Sequence, residues 1–209
     1  MASWSSYILA AHARMIETRN SKELGKLRAN ACEYLGLDYL KTLITENSIP
    51  NWSLVHVDDL DTMPLFLDTD LHKLAQLYND KNKSGFDILL FDTISPLQNH
   101  IRIQVKYRNT DFHFETTRRN SKKNANNNDT GHVSYSPTEF DGVLGILMNN
   151  EMTDALPSQE KFVFIPTCEL IHKKKPNTLV SRIPDKLVNT WREQTRPTLC
   201  QMMRCTSVT

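Results

Sequence analysis

The sequence predicts a mixed α/β domain, a mixed β-sheet flanked by helices, and three observations predict it. Apolar residues recur at helical spacing early in the chain, at Leu24, Leu27, Ala31, Tyr34 and Leu35. A strictly alternating segment, I-R-I-Q-V-K-Y-R over 101–108, follows a short apolar run, F-D-I-L-L-F-D over 86–92, as the two strands of a hairpin do. Two further apolar runs of strand length, D-G-V-L-G-I-L-M and K-F-V-F-I, lie beyond a long polar interval.

Taken in order, residues 3–18 read as a helix ended near Asn20-Ser21, and Ser21 caps a second helix that Gly36 stops. A third helix is expected over 38–46, broken by Pro50, and W-S-L-V-H-V over 52–57 reads as a short strand. An Asp-rich segment leads to an amphipathic helix over 69–79, with Leu71, Leu74, Ala75 and Tyr78 on one side. N-D-K-N-K-S-G is a turn by composition, and residues 93–99, with Ser95-Pro96, join the two hairpin strands. Residues 111–117 are expected to extend the sheet, and 118–130, polar, basic and rich in Asn, read as a mobile loop. Strands over 141–148 and 161–165 follow, then a short helix from Pro166-Thr167 to Leu170, a basic H-K-K-K-P segment and a last helix over 185–194. No internal repeat is apparent. The expected organisation is one domain over 1–209: a helical part to about 80, a sheet core at about 85–171 and a helical tail from about 172.

With 39% hydrophobic residues in 209, the chain is long enough to bury a real core. No apolar run approaches the roughly 20 residues that span a bilayer. The mildly apolar start has no basic region ahead of it and is interrupted by Arg14 and Glu17. This favours an intracellular protein, cytoplasmic or nuclear, with no signal peptide and no membrane partner. Cys32, Cys168, Cys200 and Cys205 form no pair-of-pairs pattern and read as free thiols. Phosphate-cradling glycine motifs and G-x-S-x-G are absent, which argues against a nucleotide cofactor of the P-loop kind and against serine hydrolase chemistry. His113, His132 and His172 are too scattered for a histidine-metal motif. The net charge of +1 hides an asymmetry: residues 1–99 hold 9 Lys+Arg against 13 Asp+Glu (−4), and 100–209 hold 16 against 11 (+5). Residues 54–70 contain five Asp and no Lys or Arg, whereas 100–123 contain seven Lys or Arg. An acidic stretch that binds metal and a basic one that binds phosphate suit nucleic acid, although ordinary solvated surface is the favoured reading of the charge alone.

Candidate chemistry centres on Asp87, Gln104 and Lys106. Gln104 and Lys106 leave the same face of one strand, and Asp87 opens the preceding one. Phosphodiester hydrolysis requires a deprotonated water beside a polyanion and relief of the charge that builds on oxygen. Mg²⁺ supplies much of both and prefers oxygen ligands. Asp87 would be the anchoring carboxylate, with the Val105 carbonyl and the Gln104 amide oxygen as neutral ligands. Lys106 would lower the pKa of the water or neutralise developing charge. A polar strand face and an Asp that merely ends a turn are the plain alternative. Asp58, Asp59 and Asp61 are alternative carboxylates, Asp68 or Asp70 reads better as a helix cap, and Asp92 as a turn residue. Arg102 and Arg108 share the face of Lys106 and would contact phosphates, and Arg118, Arg119, Lys122 and Lys123 would form a loop clamp on the duplex. Lys173 to Lys175 are a second basic patch or a solvated charge run.

G-F-D-I-L-L-F followed by I-R-I-Q-V-K-Y resembles the core hairpin of PD-(D/E)xK nucleases, in which an Asp opens one strand and an (E/Q)-x-K triplet lies on the next. The Q-x-K form is similar to Mrr-like restriction nucleases. Y-S-P-T-E-F-D-G-V-L-G-I-L and K-F-V-F-I-P-T-C-E-L are similar to the continuation in homing- and restriction-type members. Over about residues 85–171 the resemblance implies a restriction-endonuclease-like fold and a Mg²⁺-dependent endonuclease on DNA, with Mn²⁺ able to substitute. It also implies possible sequence selectivity and a homodimer. An RNA-cleaving enzyme with the same metal site, or a decayed nucleic-acid-binding module, remains the alternative. The chain departs from the pattern in three places. Phe86 stands where Pro is usual, and Gln104 replaces the commoner acid. Ala31, Tyr34 and Leu35 echo an A-x-x-Y-L helix pattern, but Arg28 occupies the position of the expected acid. Glu23 is favoured over Glu33 as its substitute, because Glu33 adjoins the packing pair Tyr34-Leu35.

Overall fold

The apolar runs form strands of one mixed sheet. The structure is a computed structural model and describes residues 21–62, 69–78, 85–108, 113–115, 117–119, 132–134, 139–147, 162–172, 179–182 and 185–206. The helix expected over 3–18 lies outside them. In chain order the strands are β1 (Trp52–His56), β2 (Ile88–Asp92), β3 (His100–Arg108), β4 (His113–Glu115), β5 (Thr117–Arg119), β6 (His132–Ser134), β7 (Gly142–Leu147), β8 (Phe162–Pro166), β9 (Ile171–His172) and β10 (Leu179–Arg182). The helices are α1 (Ser21–Glu46), α2 (Thr69–Tyr78) and α3 (Asp185–Thr206), with 3₁₀ turns over Val57–Thr62 and Thr167–Glu169.

The central sheet has the order β1-β2-β3-β7-β8. It is antiparallel from β1 to β3, parallel between β3 and β7, and antiparallel again to β8. The β2–β3 connection turns at Asp92, whose carboxylate accepts the Ile94 N–H at 3.0 Å and the Asn99 amide at 3.4 Å. That is the turn role its sequence position suggests. β4 does not extend this sheet as expected. It pairs with β10, which pairs with β9, in a separate three-stranded sheet. Arg118 and Arg119 likewise belong to a strand, β5, paired with β6, and not to a loop. The expected loop residues from 120 onward, including Lys122 and Lys123, and the patch at 173–175 lie outside the described residues.

α1 runs unbroken through Gly36, where the sequence suggests a stop. A Cβ at Gly36 would sit 3.3 Å from each of the Ile88, Leu144 and Val105 side chains. The glycine therefore serves a close helix–sheet approach, which offsets its cost of about 1 kcal/mol in a helix interior. α3 also outruns expectation, passing Pro197. Thr195, Leu199 and Met203 continue the buried stripe at i+4 spacing, and packing of that stripe overrides the lost backbone hydrogen bond. Midway along α3, the Thr195 hydroxyl accepts the Phe164 N–H at 2.8 Å, which closes the β8 edge.

Helices cover both faces. Leu35, Leu37, Leu40 and Leu43 of α1 and Leu199 and Met203 of α3 bury one face with Ile88, Leu90, Ile101 and Ile103. Leu74 and Ala75 of α2, with Phe86, Leu89, Phe140, Val143 and Val163, bury the other. Among the described residues the four cysteines form no disulfide, and Cys32 and Cys200 lie within the core. Among the described residues, no helix is long and apolar enough to cross a membrane.

Two glycines should respond in opposite directions to one methyl group. A Cβ at Gly142 would overlap the buried Phe164 ring and meet the Ile165 carbonyl at 3.0 Å, whereas nothing lies within 4 Å of one at Gly25. Gly142→Ala should cost about 1–3 kcal/mol, and Gly25→Ala should gain roughly 0.5–1 kcal/mol. Urea denaturation of both variants checks this; shifts of the same sign would contradict the packing described.

Candidate active site

Strand alternation alone would turn Asp87 onto the Leu89 face of the sheet. A bulge prevents that. Ile88 is the register partner of Ile103, yet the Asp87 N–H also donates to the Ile103 carbonyl at 2.9 Å. Two successive residues thus oppose one, and such bulges re-aim a side chain. The Asp87 carboxylate lands in the plane of β3, where its Oδ2 accepts the Val105 N–H at 2.6 Å. The Asp87 carbonyl accepts the Val57 N–H at 2.9 Å, which ties the same residue to the end of β1.

A residue's N–H and C=O point to the same side of a strand. The Val105 carbonyl is therefore directed toward the side from which Asp87 approaches. Lys106 follows, half-buried, and its positive charge acts on Asp87. Gln104 does not lie on an exposed polar face as its alternation suggests; it is buried. Its amide nitrogen donates to the Gly85 carbonyl at 3.1 Å, which fixes the amide orientation, since the reverse would set two oxygens together. Its Oε1 is left buried with no hydrogen-bond partner among the described residues.

Of the two candidate helix acids, Glu33 and not Glu23 is the one brought near Asp87. Glu23 is exposed and lies ten residues, roughly 15 Å along the helix axis, from Glu33. Glu33 is three residues before Gly36, on the same side of α1, so the close approach at Gly36 carries it down to the sheet. Its Oε2 meets His56 Nε2 at 2.9 Å, and its charge acts on Asp87. The sequence contained the signal: an acid one turn from a mid-helix glycine, legible once that glycine is taken as a contact and not a stop.

Burial pushes the Asp87 carboxyl up to about 6, the nearby Glu33 charge adds to this, and Lys106, the Val105 N–H and His56 offset part of it. Burial lowers His56, but the Glu33 hydrogen bond and charge, with Asp58 and Asp87, outweigh it and hold the imidazole above its usual value. Asp87 Oδ1 and Glu33 Oε1 accept no hydrogen bond from the described residues.

Other candidates fall elsewhere. Arg102 is not presented to a phosphate: its backbone N–H, Nε and Nη2 donate to the Asp141 carboxylate at 2.7, 3.0 and 2.9 Å. It clamps β3 to the start of β7. Arg108 ends β3, and its side chain lies outside the described residues. Asp58 and Asp59 open the 3₁₀ turn after β1. Asp70 sits in the first turn of α2, paired with Lys73 at 3.0 Å. Among the described residues, no group of three or more His, Cys, Asp or Glu is gathered to hold a metal ion. Comparison with protein families, characterised proteins and solved structures finds no match to this chain.

The Asp87 carboxyl binds its proton more tightly folded than unfolded, since about 6 exceeds its ordinary 3.8. Its stabilising contribution is therefore full below about 4 and is lost as pH rises toward 6. Asp87→Asn keeps an oxygen for the Val105 N–H and removes the buried charge. The variant's stability relative to the parent should rise by on the order of 1–2 kcal/mol across that window. Denaturation of both proteins at several pH values checks this; a constant difference would contradict it.

Proposed function

We propose that this chain is a divalent-metal-dependent endonuclease that hydrolyses DNA phosphodiester bonds, with a restriction-endonuclease-like core. The observation that carries it is the convergence at the β2 bulge: Asp87, held by the Val105 N–H, lies within electrostatic reach of both Lys106 and Glu33. The oxygens present are of the kind that Mg²⁺ prefers. They are Asp87 Oδ1, the Val105 carbonyl, Glu33 Oε1 and, as a neutral oxygen, the unpartnered Gln104 Oε1. Mg²⁺ commonly takes one or two protein carboxylates and completes its shell with water and phosphate oxygens, so a three-carboxylate cage is not required.

A divalent cation bound there supplies Lewis acidity toward the phosphate and a water of lowered pKa, and Mn²⁺ serves the same role. Lys106 then faces the charge that builds on the scissile phosphate and helps hold the attacking water. Asp87 must be ionised to bind, so protons compete below about pH 6. Arg118, Arg119 and the basic segment after them supply phosphate contacts, and a homodimer would deliver cuts to both strands. The buried, neutral Gln104 in place of an acid favours one second reading, a nucleic-acid-binding module that has lost catalysis.

Plasmid nicking in Mg²⁺ tests the proposal. Asp87→Asn and Lys106→Ala should each lose about 100-fold or more. Glu33→Gln should lose activity, whereas Glu23→Gln should cut like the parent. Labelled RNA run beside DNA separates the two substrates. Variants of Asp87 and Lys106 that cut at the parental rate would sink the proposal, and salt-dependent DNA binding without cleavage would favour the second reading.

A further inference from the structure

We propose that His56 is a positioning residue that fixes the Glu33 carboxylate toward the cation site, an inference that rests on the metal-dependent reading above. His56 is the last residue of β1 and its side chain is 3% exposed. Each part of the ring is engaged. Nδ1 accepts the Asp58 N–H at 3.1 Å, so in the neutral ring the proton belongs to Nε2, which faces Glu33 Oε2 at 2.9 Å. The ring face stacks on Tyr34, with centroids 5.1 Å apart and planes at 19°, and Tyr34 neighbours Glu33 in the chain.

A glutamate has three side-chain torsions, and on a helix margin it would sample many orientations. The imidazole takes one carboxylate oxygen and leaves Oε1 without a hydrogen bond from the described residues. One end of the carboxylate is thereby fixed. A buried histidine with a purely structural task would need only its Asp58 cap and its stack. The contact to Glu33 also joins β1 to α1, and donors of this kind orient carboxylates that bind metal.

Two substitutions divide these roles. In His56→Gln the amide nitrogen reaches about as far as Nε2 and keeps the donation to Glu33. In His56→Asn the amide oxygen reaches about as far as Nδ1, which keeps the Asp58 cap and loses Glu33. Mn²⁺ affinity is measured by titration calorimetry on the full chain at neutral pH, with melting temperatures alongside. His56→Asn should bind Mn²⁺ about 10–100-fold more weakly than the parent, and His56→Gln within a few-fold of it. Parental affinity in His56→Asn, or losses in both variants that follow their melting temperatures, would overturn the positioning role. It would leave the metal site standing if Asp87→Asn still abolishes binding. A parent that takes up no Mn²⁺ would overturn the metal site and this inference together.

Discussion

The site depends on one hydrogen bond, from the Val105 N–H to the Asp87 carboxylate. A backbone donor that would otherwise continue the β2–β3 ladder is given to a side chain, which requires the extra residue of the bulge at Asp87. Once the bulge exists, the paired strands end there, the Val105 carbonyl turns to the same side and Lys106 follows one residue later. The remaining framework serves that local event. Arg102 and Asp141 lock β3 to β7 below it, the Gly36 contact lowers α1 onto it, and α3 covers the sheet edge beyond.

The arrangement is costly to the fold. Asp87 and Glu33 bring like charges together in a partly buried place, and burial works against the ionised Asp87. Chains seldom keep such a pair without return, because an apolar or neutral residue would be more stable there. The offsets visible are Lys106, His56 and the Val105 N–H, and they hold the carboxyl near 6 without returning it to an ordinary value. A bound cation would complete the neutralisation, and Gln104 Oε1, which has no donor among the described residues, adds an acceptor.

Much of this was legible in the residues. Alternation over I-R-I-Q-V-K-Y-R located β3, and the spacing to F-D-I-L-L-F located its antiparallel neighbour. Less legible was anything decided by contacts between distant segments. Gly36 and Pro197 are local stop signals, and both were overridden by apolar stripes that continue past them and pack on the sheet. Gln104 reads as exposed by alternation, but it is buried, with its amide nitrogen tied to the Gly85 carbonyl on the neighbouring segment. Arg102 looks like a phosphate contact until Asp141, 39 residues away, is seen to hold it. By sequence Glu23 reads as the better candidate because the neighbours of Glu33 pack, and that packing on the sheet is what brings Glu33 near Asp87.

The proposed function requires a divalent cation held where the Asp87 carboxylate meets the Val105 carbonyl. Anomalous diffraction from crystals soaked in Mn²⁺ tests it most directly. A peak at about 2.1 Å from Asp87 Oδ1 and the Val105 carbonyl oxygen is the predicted result. Mn²⁺ bound at another cluster, or no peak beside an ordered Asp87, would contradict it.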